Sequence, residues 1–140
     1  MSFREKSAWI CFIGIWVIFA PYFVHVGALV RSDSLDLPSI AWLLSGAIVL
    51  QAIVTALAHI VIAVKHRNEK PDERDRAIEL RSYRSAYIAV ALLAMFIVAV
   101  PATWGYLQSP LVIGQLLLLC LIFGEMAKYL IQAIGYRVGL

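Results

Sequence analysis

The chain has 140 residues, of which 62% are hydrophobic and only 15% charged, with a formal net charge of +3. Soluble domains run nearer about 45–50% apolar and about 25% charged, so the composition excludes an ordinary water-soluble domain. The basic excess does not point to nucleic acid, because most Lys and Arg lie in short segments flanking long apolar runs and no recognition module is present.

A short polar start carries Arg4 and Lys6 and leads into the first apolar run, residues 8–30, with Pro21 inside it. That run is too long for the roughly 7–15-residue apolar core of a signal peptide, and no small-residue cleavage site follows, so it is expected to be a retained span. A connector, R-S-D-S-L-D-L, ends at Pro38, which suits the first turn of a second helix over residues 39–64. The third run, 86–107, has Pro101 near its far end, where a kink is expected. Gln108-Ser109-Pro110 forms a minimal turn before the fourth run, 111–134. Each run has the ~20 residues a helix needs to cross about 30 Å of hydrocarbon. The expected fold is all-α: a single polytopic membrane domain of four transmembrane helices packed as a bundle.

Between the second and third runs lies a charged hinge, residues 65–85. The stretch 65–87 holds seven of the twelve basic and five of the nine acidic residues. Pro71 followed by Asp72, Glu73 and Asp75 reads as a helix start, with acids facing the positive dipole end and Asp72 four residues before Arg76. Counting Lys and Arg places Arg4, Lys6, the hinge and Arg137 on one side and only Arg31 on the other. Positive charge stays inside, so both termini and the hinge are expected to face the cytoplasm of a bacterial or archaeal inner membrane. Trp9, Trp42, Trp104, Tyr106 and Tyr136 then fall near the interfaces; Trp16 does not. Cys11 and Cys120 sit at different depths, roughly 15 Å apart by helical rise, too far for a disulfide.

Small and polar residues at helical spacing mark the expected contact faces, since lipid offers no hydrophobic drive between helices. These are Ser7, Cys11, Gly14, Pro21 and His25 in the first run, and Ser45, Ala52, Thr55, Ala56, His59 and Ala63 in the second. The third has Tyr87, Ala91, Ala94, Val98 and Gly105; the fourth has Gly114, Leu121, Glu125, Lys128 and Gln132. Gly135 and Gly139 lie past the apolar run and carry little weight as a dimer motif.

Ionisable residues inside a membrane are expensive and are functional candidates by default. His25 lies in the outer half of its helix. His59, Glu125 and Lys128 share the inner half, with Tyr87 near, and form a candidate polar cluster. Either Glu125 and Lys128 neutralise each other with His59 as a hydrogen-bonding partner, or Glu125 carries a proton or ion with Lys128 tuning it, or the cluster holds a ligand or lipid. Metal and cofactor sites are not expected: His25 and His59 are roughly 20 Å apart in depth, and no zinc, phosphate-loop or dinucleotide motif is present. Gln51 and Gln115 read as interhelical glue.

The hinge residues Asp72, Glu73, Arg74, Asp75, Arg76, Glu79, Arg81 and Arg84 form either a salt-bridged helix that fixes topology or a docking surface. Interleaved acids weaken its attraction to anionic lipid, so a protein partner is the better docking expectation. The stretch D-E-R-D-R-A-I-E, with Asp72, Glu73, Arg74, Asp75, Ile78 and Glu79 at the motif positions, resembles a signature of small prokaryotic membrane proteins of unknown function, the DUF2178-like group. That resemblance covers the hinge and third helix and implies a four-helix membrane protein without an assigned activity. The expectation is therefore a non-enzymatic accessory or regulatory membrane subunit. The alternative is a small oligomeric proton-coupled transporter or channel using Glu125; small multidrug transporters have similar size but carry their membrane glutamate in the first helix.

Overall fold

The computed structural model describes residues 3–65, 72–104 and 109–138. Expectations for Pro71, Gly105, Tyr106, Gly139 and the hinge residues 66–71, and for the side chains of Ala63, Pro101 and Trp104, lie outside what it describes. Four helices make up the described chain: α1 (Phe3–Arg31), α2 (Leu37–Lys65), α3 (Glu73–Trp104) and α4 (Pro110–Val138). All four are long and apolar enough to cross a bilayer. At about 1.5 Å per residue, 29 residues reach about 44 Å, more than the ~30 Å hydrocarbon layer. Large apolar side chains stay outside: Trp42 is 81% exposed, Val64 77% and Val24 74%. Such faces are untenable in water and ordinary against lipid. The chain is a multi-pass membrane protein.

Local chemistry sets the helix ends. At the end of α1, Asp33 adopts φ 51°. Its N–H reaches the Val30 carbonyl and the Ser34 N–H reaches Leu29, a Schellman closure that satisfies the last free carbonyls. Asp36 then caps α2, accepting the Ser39 N–H at 3.0 Å. Hydrogen bonds from the Ser39 hydroxyl and backbone N–H hold the Asp36 carboxyl below its usual range. A depressed carboxyl contributes stability above its unfolded pKa, about 3.9, and loses it as pH falls through the lower folded value. Thermal unfolding in detergent should show wild type above Asp36→Asn at neutral pH, with the gap narrowing as pH falls below the unfolded value of about 3.9.

At the start of α3, the Asp72 N–H donates to Asp75 Oδ2 at 2.9 Å and Asp72 Oδ1 accepts from Glu73 at 2.7 Å. These two bonds satisfy free N–H groups at the start of a helix that runs without interruption through the charged segment and the third span to Trp104. In α4, Ser109 precedes the helix and Pro110 occupies its first position.

Extensive helix–helix contact among the described residues runs along three seams, α1·α2, α1·α4 and α3·α4. The order is therefore α2–α1–α4–α3, which differs from the expected bundle with one inward face per helix. The central helices α1 and α4 each serve two neighbours. The core runs along α1 through Ile15, Phe19, Tyr22 and Val26, with Leu44, Ala47, Leu118 and Ile122 packed against it.

The contact faces also differ from the expected stripes. Pro21 and His25 are exposed; α1 buries Cys11, as expected, and with it Ala8, Ile15 and Phe19. In α2, Ser45, Ala52 and Ala56 are exposed while Ile40 is buried. In α3 the buried positions are Ile78, Ser82 and Ala86, spaced four apart, whereas Tyr87 is 77% exposed. In α4, Gly114, Leu121 and Glu125 face outward, and Gly124, Lys128 and Gly135 are buried. Gly135 is thus a contact residue against Ile78 of α3, although its position in the sequence gave it little weight.

Candidate functional site

The ends of all four helices supply side chains to one cavity of about 360 Å³, lined by ten residues that include Arg4 and Ser7 (α1), His59 (α2), Glu79 and Tyr83 (α3), and Lys128 (α4). Up-and-down connectivity brings these stretches level: the start of α1, the end of α2, the start of α3 and the end of α4. Tyr129, Gln132 and Tyr136 complete the α4 wall.

Lys128 is the centre of the site. The residue is only 7% exposed, yet its ammonium has three partners. It is ion-paired with Glu125, one turn earlier on the same helix. It also lies 4.4 Å from the Tyr129 ring centroid and 5.2 Å from that of Tyr83, within the range of a cation–π contact. These contacts offset the desolvation a buried ammonium suffers.

Around this centre the polar groups are joined in pairs. Ser7 Oγ lies 3.4 Å from His59 Nδ1, and Cys11 Sγ lies 3.8 Å from His59 Nε2, both long contacts. Gln132 Nε2 donates to Ser82 Oγ at 3.0 Å, and that hydroxyl donates to the Glu79 carbonyl at 2.7 Å. Ser82 is fully buried, so the chain of bonds ties α4 to α3. At the outer rim, Arg4 Nε meets Asp75 Oδ2 at 3.2 Å, tying α1 to the cap of α3. Farther along, the Tyr22 hydroxyl donates to Gln115 Oε1 at 2.6 Å, and Gln51 donates to Thr55 at 3.0 Å. Gln115 bridges α1 and α4 as expected of an interhelical amide; Gln51 bonds within α2.

The expected cluster is brought together in part. His59 and Lys128 line the same cavity, and Glu125 is bound to Lys128. Glu125 does not itself line that cavity, and its side chain is half exposed. Tyr87 is excluded: it faces outward, and Tyr83, one turn earlier, takes the place by Lys128. The four-residue repeat Ile78–Ser82–Ala86 turns α3 so that Tyr87 lies off the seam. Reasoning from sequence missed Tyr83, Tyr129, Gln132, Tyr136 and Arg4 as cavity residues. One signal was available, since Lys128, Gln132 and Tyr136 recur every four residues on one face of α4.

No group of three or more His, Cys, Asp or Glu among the described residues is arranged to hold a metal ion. Cys11 and Cys120 are free and buried. The hinge residues Glu73, Arg74, Arg76, Glu79, Arg81 and Arg84 are exposed along α3, while Asp75 is partly covered by Arg4. A second, largely apolar groove of about 330 Å³ lies beside them, between α3 and α4, with Arg81 at its edge and Ile78, Ile131 and Ile134 in its walls. No protein-family model, curated protein or solved structure matches the chain.

Proposed function

We propose that this protein is a non-enzymatic component of the prokaryotic inner membrane that works by interaction, presenting the first turns of α3 to a cytoplasmic protein partner. The observation that carries the reading is the continuity of α3 over 32 residues. Such a helix is about 48 Å long, so roughly 18 Å of it extends past the hydrocarbon layer. The extension is held to α1 by Arg4–Asp75 and to α4 by Ile78 packed on Gly135. A surface held in place loses little conformational entropy on binding. Leu80 is 71% exposed on it, between Arg76 and Arg84. The groove beside Arg81 suits an apolar partner side chain with an acid next to it.

A photo-crosslinker at Leu80, in native membranes, should give a discrete adduct that is lost when Arg81 and Arg84 are reversed to Glu. An adduct unchanged by the reversal contradicts docking. The half-exposed Glu125 side chain favours the alternative of a small oligomeric proton-coupled transporter. In reconstituted vesicles a proton flux abolished by Glu125→Gln supports that alternative, and zero flux in both forms counts against it.

A further inference from the structure

We propose that the 360 Å³ cavity is a headgroup site for a zwitterionic, amine-bearing phospholipid, with the lipid phosphate against His59 and Lys128 and the ammonium against Glu79 beside Tyr136.

The lining carries two fixed cations, Arg4 and Lys128, one carboxylate, Glu79, and one imidazole, His59. Behind the cations stand Asp75 and Glu125, each already paired with one of them. The field in the cavity is therefore not strongly of one sign. A purely anionic headgroup meets the cations but also Glu79. A phosphate joined to a primary ammonium uses both ends, and the ammonium gains the face of a tyrosine ring as well. Ser7 and Gln132 supply further hydrogen-bonding groups for phosphate oxygens.

From Lys128 to Tyr136 is two turns of α4, about 12 Å. The polar layer on each side of a bilayer is roughly 5–8 Å thick. A cavity of that height starts at the water side and ends among acyl chains, which suits a lipid better than a small dissolved solute. Beside His59, the α2 residues Leu57, Ile60 and Val61 are all exposed and provide an apolar surface along which acyl chains can lie.

The test uses the full chain in detergent, equilibrated with equal amounts of phosphatidylethanolamine, phosphatidylglycerol and phosphatidylcholine, with retained lipid read by native mass spectrometry. Wild type should retain phosphatidylethanolamine about ten-fold over either competitor, the worth of one charge-assisted contact. Glu79→Gln should erase the preference over phosphatidylglycerol, and Lys128→Gln should lower retention of every phospholipid. Arg31→Gln, at the opposite end of α1, should change nothing. Equal or better retention of phosphatidylglycerol by wild type overturns the zwitterionic assignment, as does an unaltered preference in Glu79→Gln. Glu79 is exposed, so that variant remains informative if Lys128→Gln does not fold. Excess glycerophosphoethanolamine should not displace the lipid; displacement would identify a dissolved headgroup as the occupant and overturn the lipid.

Discussion

Leucine at Gly124 will force α3 away from α4, and even alanine there will destabilise the protein by about 1–3 kcal/mol. An added Cβ at Gly124 would lie 2.2 Å from Val90 Cγ2 and 3.6 Å from the Ala86 carbonyl oxygen. Valine is stiff about χ1, so the clash cannot be relieved by swinging a flexible chain end. The helices must separate or Val90 must leave its rotamer. Close approach at a glycine is also a main source of packing energy between helices in lipid. Val90→Ala should rescue Gly124→Ala, because it removes the methyl that the new Cβ meets. Equilibrium unfolding in bicelles would then show the double variant more stable than Gly124→Ala alone, with a coupling energy on the order of 1–2 kcal/mol. Additive losses would mean that Val90 and Gly124 do not meet.

Lys128→Met should destabilise by about 1–3 kcal/mol, and adding Glu125→Gln should return most of the loss. Methionine fills the space but removes the cation from two tyrosine rings and leaves Glu125 unpaired. Breaking a fully buried pair by removing one partner costs about 3–5 kcal/mol. Here the figure is discounted because the Glu125 side chain is 50% exposed. Removing both charges leaves no uncompensated carboxylate, which is why the double variant recovers. The same bicelle unfolding reads this out, and a double variant no better than Lys128→Met would show that the tyrosine contacts, and not the ion pair, hold the lysine.

Four helices long and apolar enough to cross a bilayer were legible in the sequence because hydrophobic length alone decides them. The runs at 8–30, 39–64 and 111–134 lie inside α1, α2 and α4. The helices run longer than the runs because polar residues also form helix where water replaces lipid, most clearly in α3, which begins at Glu73. The start of α3 after Asp72 and Pro38 in the first turn of α2 were legible from local chemistry. The seams were not. In a soluble helix the buried face is the apolar one, but a helix facing both lipid and protein is apolar all round, so periodicity loses its meaning. Choosing small and polar residues as the contact marker found Cys11 and Lys128 but rotated α3 by about one residue, from the face of Ala86 to that of Tyr87. Size was a poor guide because the α3·α4 seam pairs glycines of α4 with the larger Ile78 and Val90. The cavity was half legible: His59 and Lys128 stand out as ionisable groups in apolar runs, whereas Tyr83 and Tyr129 look like ordinary aromatic residues until Lys128 is placed over them.

If all four helices cross the bilayer, the start of α1, the start of α3 and the end of α4 meet at one face around the cavity. Single cysteines at Lys6, Arg74, Arg137 and Asp33, each in a Cys11→Ser/Cys120→Ser background, can be labelled with a membrane-impermeant thiol reagent in sealed vesicles of known orientation. Four crossings predict that positions 6, 74 and 137 react together from one side and position 33 from the other. Labelling of positions 6 and 74, or of 74 and 137, from opposite sides would contradict it.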